Sequence, residues 1–518
     1  MGESGTDVIA VGVGHQAILV VYMTILALVC VYALHRYQLV HLYYKHRKNT
    51  PRLDRCFVEL PRVTVQLPMY NEQYVAERII ESTCGIDYPS DKLQIQVLDD
   101  STDETTDIAQ RAVSRMRAAG HDIVYIHRED REGYKAGALE NGLETTTGEF
   151  VCIFDADFIP PVNILKETIH YFADPKVGMV QARWDHINRD HSLLTKTQAI
   201  LLDGHFVIEH AARNRSGRFM SFNGTAGMWR RTCVDDAGGW QHDTLTEDLD
   251  LSYRAQMKGW KFLFLPDLVS PAELPPEMQS FKAQQHRWAK GGAQTCKKLL
   301  PRILRSRLPL KIKTEAFFHL TSCTVYLYIV GLTLMLYPAM KMRLSLFEAH
   351  ETVSNAVFGM TLFVIATCSP SAFYMCSQRE IFRTWADKIK YLPFLMSVGI
   401  GISLNNARAA LEGFFGNPGE FVRTPKYGVH TSQDSRWRGR AKTFRNKIKI
   451  QPFLELSIGI YLLVCVIMAL RDASTFFGAP FLVLFASGYF YVSLSTFYGQ
   501  FVRGREHVAE DTKGDVLA

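Results

Sequence analysis

Asp155-Ala156-Asp157 follows the apolar run Cys152-Ile153-Phe154, and Asp99-Asp100 follows Val97-Leu98. Paired carboxylates placed just beyond strands suit a magnesium-dependent enzyme acting on phosphates, because a hard divalent cation takes carboxylate oxygens together with substrate phosphate oxygens. Alone, the Asp-x-Asp spacing is a weak signal, since an exposed turn uses the same residues. Further constellations follow one another along the chain, however: Gln66-Leu67-Pro68-Met69-Tyr70-Asn71-Glu72, Gly133-Tyr134-Lys135-Ala136-Gly137, Ser221-Phe222-Asn223-Gly224-Thr225-Ala226, Thr246-Glu247-Asp248 and Gln284-Gln285-His286-Arg287-Trp288.

The elements that must position these residues are legible as alternation. Short β-rich runs at 63–67, 95–98, 124–126, 151–154 and 177–181 are separated by helical stretches, which predicts βαβ units in a mostly parallel sheet. Ligands of such sheets bind beyond the carboxyl ends of the strands, where both acidic pairs lie. The expected fold class is therefore α/β for the segment carrying the motifs.

The rest of the chain is of another kind. Among 518 residues 47% are hydrophobic and the mean hydropathy is −0.03, high for a wholly soluble enzyme. Apolar stretches at 17–34, 317–340, 356–376, 453–470 and 476–494 meet or approach the roughly 20 residues a bilayer span needs. The first is read as a retained anchor: its leader carries Glu3 and Asp7 with no Lys or Arg, and no Ala-x-Ala site follows. Arg36, Lys45, Arg47, Lys48 and Arg52 come next, so the positive-inside rule puts the following segment in the cytosol.

A polar interruption at 408–449 carries ten Lys or Arg against three Asp or Glu and is expected to be cytosolic. The 379–390 loop is also basic, so the short run 392–404, with Pro393, Gly399 and Gly401, is expected to lie in the interface or re-enter. About five spans result. The expected divisions are an anchor at 1–51, a cytosolic catalytic domain at 52–310, transmembrane and interfacial helices at 311–405, a basic loop at 406–452, two spans at 453–500 and a cytosolic tail at 501–518. The net charge of +6 clusters beside apolar segments, which argues against nucleic acid as a partner. Ten scattered cysteines without a Cys-x-x-Cys pair exclude a zinc or disulfide framework.

The ordered set of motifs resembles the nucleotide-binding and catalytic elements of processive family 2 glycosyltransferases, which include cellulose, mannan and glucan synthase-like enzymes. Thr246-Glu247-Asp248 matches the T/E-D motif, Gln284 to Trp288 the Q-x-x-R-W motif, and Phe222, Asn223, Gly224 and Thr225 the acceptor-binding loop. The resemblance implies a GT-A domain plus an α-helical transmembrane bundle. It also implies an integral membrane protein with a cytosolic catalytic domain, in the plasma membrane of a bacterium or the Golgi of a eukaryote.

Position by position, the resemblance gives Tyr70 and Asp99 to the nucleoside, Asp155 and Asp157 to the donor, and Asp157, with Asp155, to Mg2+ or Mn2+. Asp248 becomes the base, since an acceptor hydroxyl attacks poorly until a positioned carboxylate takes its proton. Arg287 has a reason to sit near the departing diphosphate, and Trp288 to stack on the acceptor sugar, although a tryptophan here is also an ordinary core residue. Glu247 and Gln284 fall on the acceptor side. Lys135 either reaches a donor phosphate or solvates a helix start.

Phe421-Val422-Arg423-Thr424-Pro425-Lys426 resembles the F-x-V-T-x-K gating loop of cellulose synthases, with Arg423 in place of the usual valine. A gating role gives Thr424 and Lys426 to the donor diphosphate; an ordinary basic juxtamembrane loop is the other reading. Arg436 and Arg440 read as a basic surface facing anionic lipid.

The expected reaction is inverting transfer from a UDP-sugar or GDP-mannose to a growing β-linked polysaccharide. Its rivals are transfer to a lipid, as in ceramide glucosyltransferases, and a transporter or receptor with a degenerate transferase-like domain. The spans hold few ionisable residues, such as His319 and Glu455 near helix ends, which speaks against transport. Membrane lipids and secretion proteins complete the expected partners.

Overall fold

The computed structural model describes residues 5–347, 353–417, 419, 421, 423–429, 450–473 and 475–514, with side chains left undescribed at 5–15, 343–347, 353–360 and 500–514. Arg436 and Arg440, with the rest of 430–449, lie outside the described residues. The chain divides into two compact units. One contains Leu39–Thr321 and Leu411–Arg445, the other Met1–Gln38, Ser322–Ala410 and Asn446–Ala518.

The first unit is built on a seven-stranded sheet: β1 Val63–Met69, β2 Leu93–Asp99, β3 Ile123–His127, β4 Phe150–Ile153, β5 Val177–His186, β6 Gly227–Arg230 and β7 Lys261–Ala272. The spatial order is β3-β2-β1-β4-β6-β5-β7. Pairings among β1 to β4, and of β5 with β7, are parallel, and only the short β6 runs against its neighbours. Strand order reverses between β1 and β4, the switch point where α/β sheets open a crevice for ligands. Tyr70 and Asp100 come directly after β1 and β2, and Asp155 two residues after β4, and so they meet there.

β1, β2 and β4 are buried almost throughout, as expected of strands covered by helices on both faces. Their apolar residues join Ile79, Ile80, Ala109, Val113, Ile164 and Phe172 in one core. A polar ladder runs through it. Thr64 donates to Gln94 at 2.8 Å and Gln66 to Gln96 at 3.0 Å, in register across β1 and β2. Gln94 in turn accepts the Thr147 N–H at 2.9 Å, which fixes the approach to β4.

β6 and β7 are additions to the strands expected from sequence. Four residues make β6 too short for alternation to show, and Pro266 and Pro271 make β7 read as loop. The β5–β7 register jumps from Ala182↔Leu265 to Arg183↔Val269. The displaced Pro266 carbonyl accepts from Arg183 Nε at 2.8 Å, which replaces the lost ladder bond.

The second unit is helical. Among the described residues, four helices are long and apolar enough to cross a membrane: Gln16–His46, Leu310–Met342, Gln451–Arg471 and Phe476–Gly499. They cover four of the five expected spans, and 356–376 falls within the helix Val353–Ile381. Leu392–Gly401 is a separate ten-residue helix, about 15 Å long and so half a hydrocarbon core. It packs closely on the helix Ala479–Gly514: a Cβ at Gly401 would lie 2.2 Å from the Gly488 carbonyl oxygen, which reserves the crossing for glycine. Leu336, Leu462, Val466, Leu482 and Tyr489 form the apolar centre of this unit.

Candidate active site

A cavity of about 170 Å³ opens at the carboxyl ends of β1, β2 and β4. Its wall includes Tyr70, Asp100, Lys135, Asp155, Asp157, Asn223, Gly224, Glu247, Asp248, Gln284, Arg287, Trp288, Thr424 and Lys426. Four elements carry the chemistry. Asp155 and Asp157 stand on the turn after β4. Lys135 is the second residue of the helix Tyr134–Glu144, and Glu247 and Asp248 open the helix Glu247–Met257. Gln284, Arg287 and Trp288 lie on the helix Met278–Arg305, where spacings of three and four residues put them on one face.

The loop Ser221 to Ala226 ties these elements together. Thr225 Oγ1 accepts the Asp155 N–H at 2.9 Å, and the Gly224 carbonyl accepts from Lys135 Nζ at 2.9 Å. Gly224 has φ +80°, and a Cβ there would lie 3.1 Å from Asp248 Oδ2 and 3.4 Å from Lys135 Nζ. A side chain at this position would therefore separate the lysine from the carboxylate. The non-glycine residues in the left-handed region among those described are Asn71 and Ala226, on loops at the cavity, and Tyr134, which opens the helix carrying Lys135. Such strain persists only where surrounding structure enforces it.

Charges are paired across the cavity. Lys135 forms an ion pair with Asp155, and Lys426 with Asp157. Lys426 also donates to the Glu273 carbonyl at 3.0 Å, while the Glu273 carboxylate accepts the N–H groups of Tyr427 at 2.9 Å and Val429 at 3.0 Å. Glu273 thus clamps the segment beyond Thr424 to the end of β7. Arg423 donates to the Tyr70 carbonyl at 2.8 Å and lies 3.2 Å from Glu72. Phe421 stacks on Tyr134 and lies under the Arg287 guanidinium, 4.4 Å from its ring centre. Arg131 lies 3.4 Å over the ring of Tyr70.

Burial sets the protonation tendencies. Asp248 is pushed up to about 7 by desolvation and by the neighbouring Glu247, against the opposing Leu249 N–H, Lys135 and Arg287. Glu247 is raised by burial too, with Lys135 opposing. Burial lowers Lys135, but Asp155, Glu247 and Asp248 more than reverse this, so its ammonium is held firmly. Glu72 is raised to about 8 by burial, with Arg423 opposing and Asp157 adding to the rise.

Residues 61–291 match the family described as "Glycosyltransferase like family 2". Along the chain the similarity extends farther. It is 34% identical over 428 residues to "Glucomannan 4-beta-mannosyltransferase 2" of Arabidopsis thaliana, covering 78% of this chain and 75% of that one. It is likewise 34% identical to "Glucomannan 4-beta-mannosyltransferase 1" of Cyamopsis tetragonoloba, over 78% and 76%. The chain belongs to the family 2 glycosyltransferases. Within them it is of the cellulose and mannan synthase-like type, a membrane hexosyltransferase. A solved structure, "Mannosyltransferase PcManGT from Pyrobaculum calidifontis in complex with GDP-Man and Mn2+", shares the GT-A fold with a TM-score of 0.51 at 20% identity, covering 77% of this chain and 99% of that one.

In this glycosyltransferase three residues expected at the site face elsewhere. Asp99 is fully buried behind the cavity, its carboxylate accepting from Tyr125 Oη at 2.6 Å and the Ser101 N–H at 3.0 Å. Its neighbour Asp100 lines the wall and holds Arg128 through two bonds of 2.8 and 2.6 Å. Phe222 is buried edge-on against Trp229, 5.5 Å between ring centres, and Thr225 bonds the Asp155 backbone from behind the wall. Trp288 lines the cavity and is not a core residue. Glu72, Arg131 and Glu273 are wall residues that the motifs did not single out. Glu72 closes the first motif and was within reach of it, whereas Glu273 stands in no pattern.

Proposed function

We propose that this glycosyltransferase transfers mannose from GDP-mannose to the end of a growing β-linked mannan or glucomannan, with inversion at the anomeric carbon. The observation that carries this reading is the convergence of Asp248, the Asp155/Asp157 pair, Arg287 and Trp288 on one cavity. The names of the Arabidopsis and Cyamopsis relatives support the mannosyl product, and the GDP-Man of the PcManGT structure supports the donor.

Asp248 takes the proton of the acceptor hydroxyl as the hydroxyl oxygen attacks the anomeric carbon and the nucleoside diphosphate leaves with the bond electrons. Direct displacement on an α-linked donor gives a β-linkage. Arg287, held over Phe421 and facing four carboxylates, stabilises the departing phosphates. Trp288 and Gln284 hold the acceptor sugar, and Tyr70 with Arg131 takes the nucleobase. Asp99 acts on the nucleoside only indirectly, by fixing Tyr125 and the turn that carries Asp100.

Asp155 and Asp157 fit a divalent cation. Each already faces a cationic ammonium, and among the described residues no group of three or more His, Cys, Asp or Glu could hold an ion without substrate. Two carboxylates plus donor phosphates is a usual arrangement for magnesium. Bound there, Mg2+ or Mn2+ would neutralise charge on the leaving diphosphate. The cavity is smaller than the roughly 300–1,000 Å³ of typical ligand sites, so donor entry requires Lys426 and its segment to withdraw from Asp157 and engage the diphosphate instead. The Lys and Arg residues that follow the first span support a cytosolic catalytic unit, on the side where nucleotide sugars are.

The test is a donor panel. Detergent-solubilised enzyme with Mn2+ is given radiolabelled GDP-mannose, UDP-glucose, UDP-galactose or UDP-N-acetylglucosamine, and products are sized and digested with an endo-β-mannanase. A large, mannanase-sensitive product from GDP-mannose is expected. Label confined to a small lipid-extractable product would refute the polymer reading.

A further inference from the structure

Residues Gly204–His210 form a π-helix beside the acceptor loop, a rare element in which residues five apart face the same way and which recurs at functional sites. Its two histidines, with ring centres 4.4 Å apart, both reach that loop. His210 Nε2 meets the Ser221 carbonyl at 2.9 Å, so it carries the proton and donates. His205 Nε2 meets Asn223 Nδ2 at 2.9 Å, while His205 Nδ1 meets Glu209 Oε2 at 3.0 Å.

The directions of these bonds are fixed by chemistry. An ionised carboxylate only accepts, so His205 Nδ1 carries the hydrogen. Asn223 presents its amide nitrogen, a donor, to Nε2, so Nε2 is the acceptor. Gln181 Oε1 takes the Asn223 backbone N–H at 3.1 Å. What remains is Asn223 Oδ1, buried and without a hydrogen-bond partner among the described residues, on a side chain of the cavity wall that also holds Asp248 and Trp288. Arg213, 3.6 Å from Glu209 Oε2 and paired with Glu315 at 2.9 Å, anchors the far end.

We propose that Glu209 and His205 form a positioning relay that holds the Asn223 carboxamide with its oxygen free to accept a hydroxyl of the acceptor sugar. Acceptor recognition at Asn223 is thereby set by residues that never touch the sugar. The inference rests on the glycosyltransferase reading of the cavity. It adds a polar contact that accepts from a hydroxyl and rejects an acceptor lacking one there.

Two reactions of the full-length, detergent-solubilised enzyme test it: release of GDP from GDP-mannose to water, which needs no acceptor, and transfer to manno-oligosaccharides. His205→Phe is expected to raise the acceptor KM about threefold to tenfold, the net worth of one hydrogen bond, and to leave the hydrolysis constants unchanged. His205→Gln, whose carboxamide can both donate to Glu209 and accept from Asn223, should restore the acceptor KM. Glu209→Gln, which frees either histidine tautomer, should raise it in the same direction and serves if His205→Phe does not fold. An unmoved acceptor KM in a folded His205→Phe enzyme, or hydrolysis constants that shift as much as the acceptor KM, would overturn the relay. A wild-type enzyme that releases no nucleotide from any sugar donor would instead overturn the reading of the cavity, and the relay with it.

Discussion

Lys426 and Asp157 form an ion pair at 2.5 Å although 269 residues of chain separate them. The pair joins the second carboxylate of the Asp-x-Asp turn to a segment clamped by Glu273, so the residue proposed to ligate metal and the residue proposed to touch the donor diphosphate hold each other. A metal bound at Asp157 would compete with the lysine for one carboxylate, and the donor's phosphates would offer the displaced ammonium a new anionic partner.

Metal dependence follows from this competition. Chelation by EDTA should abolish transfer, and added Mn2+ or Mg2+ should restore it. Lys426→Ala, by removing the competitor, should lower the metal concentration for half-maximal rate while raising the donor KM. A Lys426→Ala enzyme with an unchanged metal requirement would separate the ion pair from metal binding.

Arg423 lies 3.2 Å from Glu72, and both side chains are largely buried. Removing the arginine leaves a buried carboxyl, already raised to about 8, without its donor, which costs about 1–3 kcal/mol. Arg423→Val should therefore speed hydrogen exchange of residues 423–429 and lower the thermal midpoint. The double variant with Glu72→Leu should recover part of the loss, because no unpaired carboxyl then remains. Equal damage from the single and double variants would deny the coupling.

Asp248 sets the pH dependence. A base must be ionised to act, and burial with Glu247 beside it raises this carboxyl to about 7. kcat/KM should thus be flat above that pH and fall about tenfold per unit below it. Since Glu247 contributes to the rise, Glu247→Gln should move the midpoint down. A profile that stays flat to pH 5.5 would remove Asp248 from the role of base.

Thr225 contributes through the backbone. Its hydroxyl accepts the Asp155 N–H from behind the wall, so Thr225→Val should leave that N–H unsatisfied, at about 1–3 kcal/mol, and let the Asp-x-Asp turn drift. kcat is expected to fall with donor binding weakened, whereas Thr225→Ser should approach the wild type.

Much of this was legible because motif order carries spatial information in an α/β sheet. Val97-Leu98 and Ile153-Phe154 read as strands, so the acids after them had to meet at one edge, and they do. Which side chain faces the cavity was less accessible. Asp99 and Asp100 are adjacent, and only the pleat decides that Asp99 turns inward to Tyr125 while Asp100 faces the wall. Phe222 and Thr225 share a loop with Asn223 and Gly224, but two are pulled behind the wall by Trp229 and Asp155. Glu273 and His205 escaped notice because their partners lie 154 and 18 positions away, and no local pattern encodes those contacts. β7 was hidden by its prolines, of which Pro266 sits at the register jump.

One cavity, with Asp248 as its base, is proposed to invert an α-linked donor. The most direct measurement is the anomeric configuration of the newly formed linkage, read by NMR on product made from carbon-13-labelled GDP-α-mannose by the wild type and by Asp248→Asn. β-Linkages only are expected, with transfer reduced about 10²- to 10⁴-fold in the variant while GDP-mannose still binds. α-Linked product, or a variant as fast as the wild type, would contradict it.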